Sequence, residues 1–124
     1  MDKRHILVVD DDPLISRMYE HKLVADNYDV DTAENGEVAL AKVMKRRPDL
    51  ILLDLMMPKK NGVETLKELK KDKKTSKIPV IFLTNLGDSQ DDMKNAKKLG
   101  ALDYLVKADT SLKQLSERVR KVVG

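Results

Sequence analysis

Four short runs of consecutive apolar residues constrain this chain more than any other feature: Ile6-Leu-Val-Val, Leu50-Ile-Leu-Leu, Val80-Ile-Phe-Leu and, more weakly, Tyr104-Leu-Val. A strand with one wet face alternates apolar and polar residues. Unbroken runs belong to strands covered on both faces, as in a parallel sheet with helices on either side. Tyr28 to Ala33 alternates instead and reads as a half-exposed edge strand. The segments between carry a helical period. Leu112, Leu115, Val119 and Val122 form one stripe, Leu40, Val43 and Met44 follow Asn35-Gly36, and Val63, Leu66 and Leu69 mark a third helix. Asp12-Pro13 reads as an N-cap followed by the first helical residue, where proline loses no needed hydrogen bond, so a helix starts directly after the first strand. Ser89 to Leu99 completes the set, with Met93, Ala96 and Leu99 as its apolar face.

Strand and helix therefore alternate five times. Parallel neighbours need right-handed crossovers, and the expected fold is α/β: a doubly wound five-stranded parallel sheet in the order 2-1-3-4-5, a flavodoxin-like three-layer sandwich with five helices. The 124 residues suit one domain, read here as spanning 1–124, because no repeat, low-complexity tract or linker divides them. The absence of cysteine excludes disulfides and thiol chemistry. No apolar stretch has the length of a signal-peptide core or a membrane span, so a cytoplasmic location is expected. The 24 bases nearly balance 21 acids, and only 3% of residues are aromatic. The six lysines between Lys67 and Lys77 read as a solvated helix end and loop, and direct nucleic-acid binding is not expected.

In such a sheet, ligands bind beyond the carboxyl ends of the strands, where the chain reverses between strands 1 and 3. Strand 1 runs into Asp10, Asp11 and Asp12, strand 3 into Asp54, strand 4 into Thr84 and strand 5 into Lys107. Asp10 or Asp11 should then crowd Asp54. At an effective dielectric near 20, two like charges ~4 Å apart cost roughly 4 kcal/mol, so the cluster must bind a proton or a hard cation. Few carboxylates with positions left for water favour Mg²⁺, with Mn²⁺ as a substitute. An ammonium and a hydroxyl aimed at the same cluster suit the oxygens of a phosphoryl group. Asp54, closing the central strand, is the natural nucleophile for an aspartyl phosphate.

The motifs Val8-Val-Asp-Asp-Asp, Asp49-Leu-Ile-Leu-Leu-Asp-Leu-Met-Met-Pro with Gly62 beyond, Ile81-Phe-Leu-Thr and Gly100-Ala-Leu-Asp-Tyr-Leu-Val-Lys resemble, in order and over nearly the whole chain, those of two-component response-regulator receiver domains of the chemotaxis-regulator type. The resemblance implies that Asp54 takes the phosphoryl group and that Asp11 is a direct metal ligand. It implies that Asp10 acts mainly through metal-bound water and that Met56 supplies a backbone carbonyl. Lys107 would pair with phosphoryl oxygens, Thr84 would hydrogen-bond one of them, and Tyr104 would turn inward to alter the surface of helix 4, strand 5 and helix 5. It further implies a histidine kinase or histidine phosphotransfer protein as donor, an output partner of unspecified kind, and a signalling switch that modifies itself rather than a turnover enzyme.

Two positions depart from the family pattern. Lys107 is followed by Ala108 where proline in a cis peptide is usual; a cis bond costs ~2.5 to 4 kcal/mol without proline, so a different loop arrangement is expected, with the lysine's ion pair kept. Asn85 follows Thr84 where a small residue is usual, and should change the rate of phosphoryl loss. A haloacid-dehalogenase-type phosphatase would instead use Asp10 as nucleophile but leaves Asp54 unexplained. A pseudo-receiver would not need the five polar residues, and a flavin carrier would need a phosphate loop after strand 1. His5 and His21 lie away from the acids and are read as structural or exposed.

Overall fold

A computed structural model describes residues 3–85 and 90–124, the side chains of 90–93 excepted. Its elements run β1 (His5–Val9), α1 (Pro13–Ala25), β2 (Asp29–Ala33), α2 (Gly36–Lys45), β3 (Leu50–Asp54), α3 (Gly62–Lys71), β4 (Val80–Thr84), α4 (Gln90–Lys98), β5 (Asp103–Val106) and α5 (Leu112–Val123), with a single 3₁₀ turn at Lys107–Asp109. The five strands are parallel, in the order β2-β1-β3-β4-β5. The four apolar runs are β1, β3, β4 and β5, and the alternating segment is the edge strand β2, as expected.

Alternate residues along the unbroken runs feed two cores. Leu7, Val9, Ile51 and Leu53 face Ala39, Val43, Leu66, Leu69 and Ala96 from α2, α3 and α4. Ile6, Val8, Leu50 and Leu52 face Tyr19 and Leu23 of α1 with Leu115 and Val119 of α5. Burial on both faces explains why these strands do not alternate. Each fully buried side chain of this size, Phe82 among them, contributes about 1.5–3 kcal/mol relative to exposure.

The caps follow from local chemistry. Asp12 accepts from the Leu14 N–H at 2.9 Å, Asn35 from Val38 N–H at 2.9 Å, and Asn61 and Ser111 form capping boxes with Glu64 and Gln114. One predicted stripe needs correction: Leu40 and Val43 pack inward on α2, but Met44 is exposed, and Ala39 takes the third inward position. The spacing Gly36, Ala39, Val43 sets that face, so Met44 falls one residue past it. Of the fourth helix, Ser89 and the Met93 side chain lie outside the described residues, while Ala96 is buried.

Candidate acidic phosphoryl and metal site

Parallel strands place all their carboxyl ends on one edge, and β1 and β3 are neighbours there, with Val9 paired to Leu53. Asp10 extends β1 by donating its N–H to Ala33 O at 3.0 Å. Its side chain is buried, and both its oxygens are engaged: Oδ1 accepts from the Asp12 N–H at 2.9 Å and Oδ2 from Lys107 Nζ at 2.6 Å. Asp11 is exposed. Asp54 ends β3 with only 2% of its surface exposed. One oxygen from each of Asp10, Asp11 and Asp54 lies within 4.8 Å of the others. The crowding expected of these residues is present.

Two features make Asp54 distinctive. Its Oδ1 is buried with no hydrogen-bond partner among the described residues, while Lys107 Nζ stands 3.5 Å away, near enough for attraction but outside hydrogen-bonding geometry. Burial, and then the negative charge of Asp10, push its carboxyl up to about 7; Lys107 and the Met56 N–H pull the other way, and the adjacent Asp11 carboxyl adds to the rise. For Lys107, burial alone would lower the ammonium, but the hydrogen bond from Lys107 to Asp10 and the charge of Asp54 prevail and hold it above its usual value.

The chain leaves Asp54 and folds back into α3 closely overhead. Gly62 donates to Leu55 O at 3.0 Å, and a Cβ at Gly62 would stand 2.4 Å from the Asp54 carbonyl oxygen. Only glycine permits this approach, which accounts for its place in the motif after Asp54.

Lys107 begins the 3₁₀ turn, and no peptide bond among the described residues is cis. The ion pair expected of Lys107 is kept, toward Asp10 and Asp54. Thr84 is buried, and its hydroxyl donates to Leu105 O at 3.4 Å rather than to the acids. Tyr104 is half-buried on β5 against the α2–α3–α4 core. The Met56 side chain is exposed. His5 is buried at the far end of β1, with Nδ1 3.2 Å from Asp29 O, and His21 is exposed on α1.

Sequence reasoning passed over Tyr19. It is buried on α1, and its hydroxyl is raised above its ordinary pKa by burial, against the pull of Lys107 and with the charges of Asp10 and Asp54 adding to the rise. Ile15, Tyr19 and Leu23 share the inward face of α1, so the spacing after the acids carried the signal.

A switch-point cluster of three carboxylates beside one ammonium is a class of site that could hold a hard cation through oxygen ligands. The protein-family model described as "Response regulator receiver domain" matches residues 6–120, and the chain belongs to that family. It is 43% identical over 123 residues to the probable transcriptional regulator ycf27 of Porphyridium aerugineum, covering 99% of this chain and 49% of that protein. It is 40% identical over 118 residues to the DNA-binding dual master transcriptional regulator RpaA of Synechocystis sp., covering 95% and 48%. The chain thus spans about half the length of the curated relatives it matches. Among solved structures, chemotaxis protein CheY4 of Vibrio cholerae superposes with a TM-score of 0.90 at 31% identity, covering 98% of this chain and 99% of that one. Receiver domains are the switches of two-component systems; phosphorylation on aspartate, Mg²⁺ binding and control of a partner are general to the family. No helix among the described residues is long and apolar enough to cross a membrane.

Proposed function

We propose that residues 1–124 form one receiver unit in which Asp54 accepts a phosphoryl group from a phosphohistidine donor. The observation that carries this reading is the buried Asp54 Oδ1, which lacks a hydrogen bond among the described residues and lies near an ammonium and two further carboxylates. A buried acceptor without a partner is costly in a resting fold and suits a group that gains partners on modification. The oxygen–phosphorus bond to Asp54 forms as the nitrogen–phosphorus bond of the donor breaks, and the departing imidazole takes up a proton. The donor is a histidine kinase or histidine phosphotransfer protein. Because the modified species is this chain itself, the protein acts as a switch and not as a turnover enzyme, and the reading carries a cytoplasmic location with it.

The donor set is all oxygen and fits Mg²⁺, or Mn²⁺ in its place, held by Asp10, Asp11, Asp54 and the Met56 backbone carbonyl. Such an ion, when bound, neutralises phosphoryl charge. Both Asp10 oxygens already accept hydrogen bonds, which suits a role through metal-bound water, whereas exposed Asp11 is suited to direct ligation. Lys107, with Nζ 3.5 Å from Asp54 Oδ1, would hold phosphoryl oxygens. Thr84 would exchange its hydrogen bond with Leu105 O for one to the phosphoryl group, and Tyr104, on the neighbouring β5 two residues before the Val106 that pairs with Thr84, would follow and reshape the surface of α4, β5 and α5 toward an output partner. The test is incubation with Mg²⁺ and acetyl phosphate followed by intact mass and peptide mapping. One phosphoryl group on Asp54, absent from Asp54→Asn, is expected; modification that survives that substitution would refute the reading.

A further inference from the structure

The near-balance of charges in the sequence hides their distribution. At the opposite edge of the sheet from Asp54, the loop from Arg46 to Asp49 enters β3 and the loop from Asp72 to Pro79 enters β4. Arg47, Lys71, Lys73, Lys74 and Lys77 all project from these loops and the end of α3, all are exposed, and none makes an ion pair among the described residues. The acids beside them are engaged by nearby donors, although Asp72 itself is exposed. Asp72 accepts the Lys74 N–H at 2.9 Å, Asp49 accepts the His5 N–H at 2.8 Å, and Asp29 is paired with Arg46 at 2.5 Å.

Cations near helix C-termini stabilise the helix dipole, and Lys70 and Lys71 meet that need for α3. Lys73, Lys74 and Lys77 lie beyond the last turn, where the effect has decayed. Their loop is nonetheless built firmly: buried Thr75 donates to Leu69 O at 2.6 Å, Lys70 Nζ to Ser76 O at 2.9 Å, and Ile78 is buried beneath. Arg47 Nη1 donates to Lys74 O at 3.1 Å and ties the two loops together. The cations thus stand on a fixed scaffold.

We propose that this basic edge binds the phosphate backbone of duplex nucleic acid, without reading sequence and independently of the Asp54 site. Five exposed cations outnumber the exposed Asp72 among them, and no aromatic or large apolar residue is exposed within residues 46–49 and 71–79, which complements a partner recognised chiefly by charge. An acidic protein partner would call for an apolar anchor, and a membrane surface for side chains that insert.

The experiment is fluorescence anisotropy of the full chain with a labelled random-sequence duplex, titrated at several salt concentrations. With about four phosphates neutralised, affinity should fall by roughly a hundredfold between 50 and 200 mM salt. The paired substitution Lys73→Glu and Lys74→Glu should weaken binding and lower the salt slope by about two charges, while modification by acetyl phosphate stays unchanged. No binding at 50 mM salt, binding indifferent to the charge reversal, or stronger association with phosphatidylglycerol vesicles than with the duplex would each overturn the proposal.

Discussion

Lys107 Nζ lies 2.6 Å from Asp10 Oδ2, closing an ion pair across 97 positions of sequence between the ends of the first and last strands. The Asp10 side chain is wholly buried and that of Lys107 is 11% exposed, so the pair is held in a low-dielectric setting where each charge relies on the other. Lys107 also stands 3.5 Å from Asp54, and one ammonium therefore tempers two carboxylates.

Removing that ammonium leaves buried negative charge without compensation. Lys107→Met, which keeps most of the packing, should lower stability in metal-free buffer by about 3 kcal/mol. Urea titration measures this directly. Added Mg²⁺ should recover much of the loss, because a cation held by the same acids takes over the neutralising role; a deficit that Mg²⁺ leaves intact would point to lost packing instead.

A pH dependence follows from Asp54, whose carboxyl is raised to about 7 from 3.8, first by burial and then by Asp10. The native state favours the protonated form. The contribution is fully present below the unfolded pKa of about 4 and is lost as pH rises through 7, at up to about 1.4 kcal/mol per pH unit, reduced by coupling to its neighbours. Metal-free protein should therefore lose stability between pH 5 and 8 relative to Asp54→Asn, in which this group no longer titrates. Urea midpoints of the two proteins across that range provide the comparison, and parallel curves would contradict the assignment.

The same proton competes with the cation. Mg²⁺ should bind more tightly at pH 8 than at pH 6, by close to tenfold for one proton displaced below pH 7. Asp11→Asn should weaken Mg²⁺ binding by at least tenfold at either pH, since it removes the most accessible oxygen ligand. Isothermal titration calorimetry resolves both effects, and an Asp11 variant with unchanged affinity would assign the ion to other ligands.

Much of this architecture was legible in the residues. Unbroken runs such as Leu50–Leu53 announced strands covered on both faces, the alternation of Tyr28–Ala33 announced an edge, and strand order followed from the alternation of elements. The convergence of Asp10, Asp11 and Asp54 followed from neighbouring strand ends. Side-chain direction did not. Nothing in the spacing told that Asp10, rather than Asp54, receives the direct hydrogen bond from Lys107, or that Thr84 turns to Leu105 O. Tyr19 was hidden because an aromatic on a helical stripe reads as core, which it also is. The basic edge was hidden because totals do not record where the fold gathers the cations.

Gly62 offers a test of how closely α3 rides over the site. A Cβ there would press on the Asp54 carbonyl at 2.4 Å, the Leu55 Cα at 2.9 Å and Phe82 Cε1 at 3.0 Å, two of them backbone atoms that cannot turn aside. Gly62→Ala should cost about 1–3 kcal/mol by overpacking and should displace Asp54 enough to slow its modification by acetyl phosphate. Chemical denaturation and the initial rate of phosphoryl incorporation measure the two effects separately; full stability with full rate would contradict a coupling between Gly62 and Asp54.

Asn85 is exposed directly after Thr84. It follows β4, the strand that lies beside β3 and Asp54, and Met56, two residues after Asp54, is 61% exposed; with Asp54 as the proposed acceptor, both side chains would add cover at this end of the sheet. Hydrolysis requires water in line with the phosphorus–oxygen bond, so partial cover slows it without altering the bond itself. Asn85→Ala should therefore speed loss of the phosphoryl group several-fold while leaving the amount initially incorporated unchanged. Decay followed by intact mass after removal of acetyl phosphate gives the rate, and equal decay in the two proteins would assign the lifetime of the modified state to residues other than Asn85.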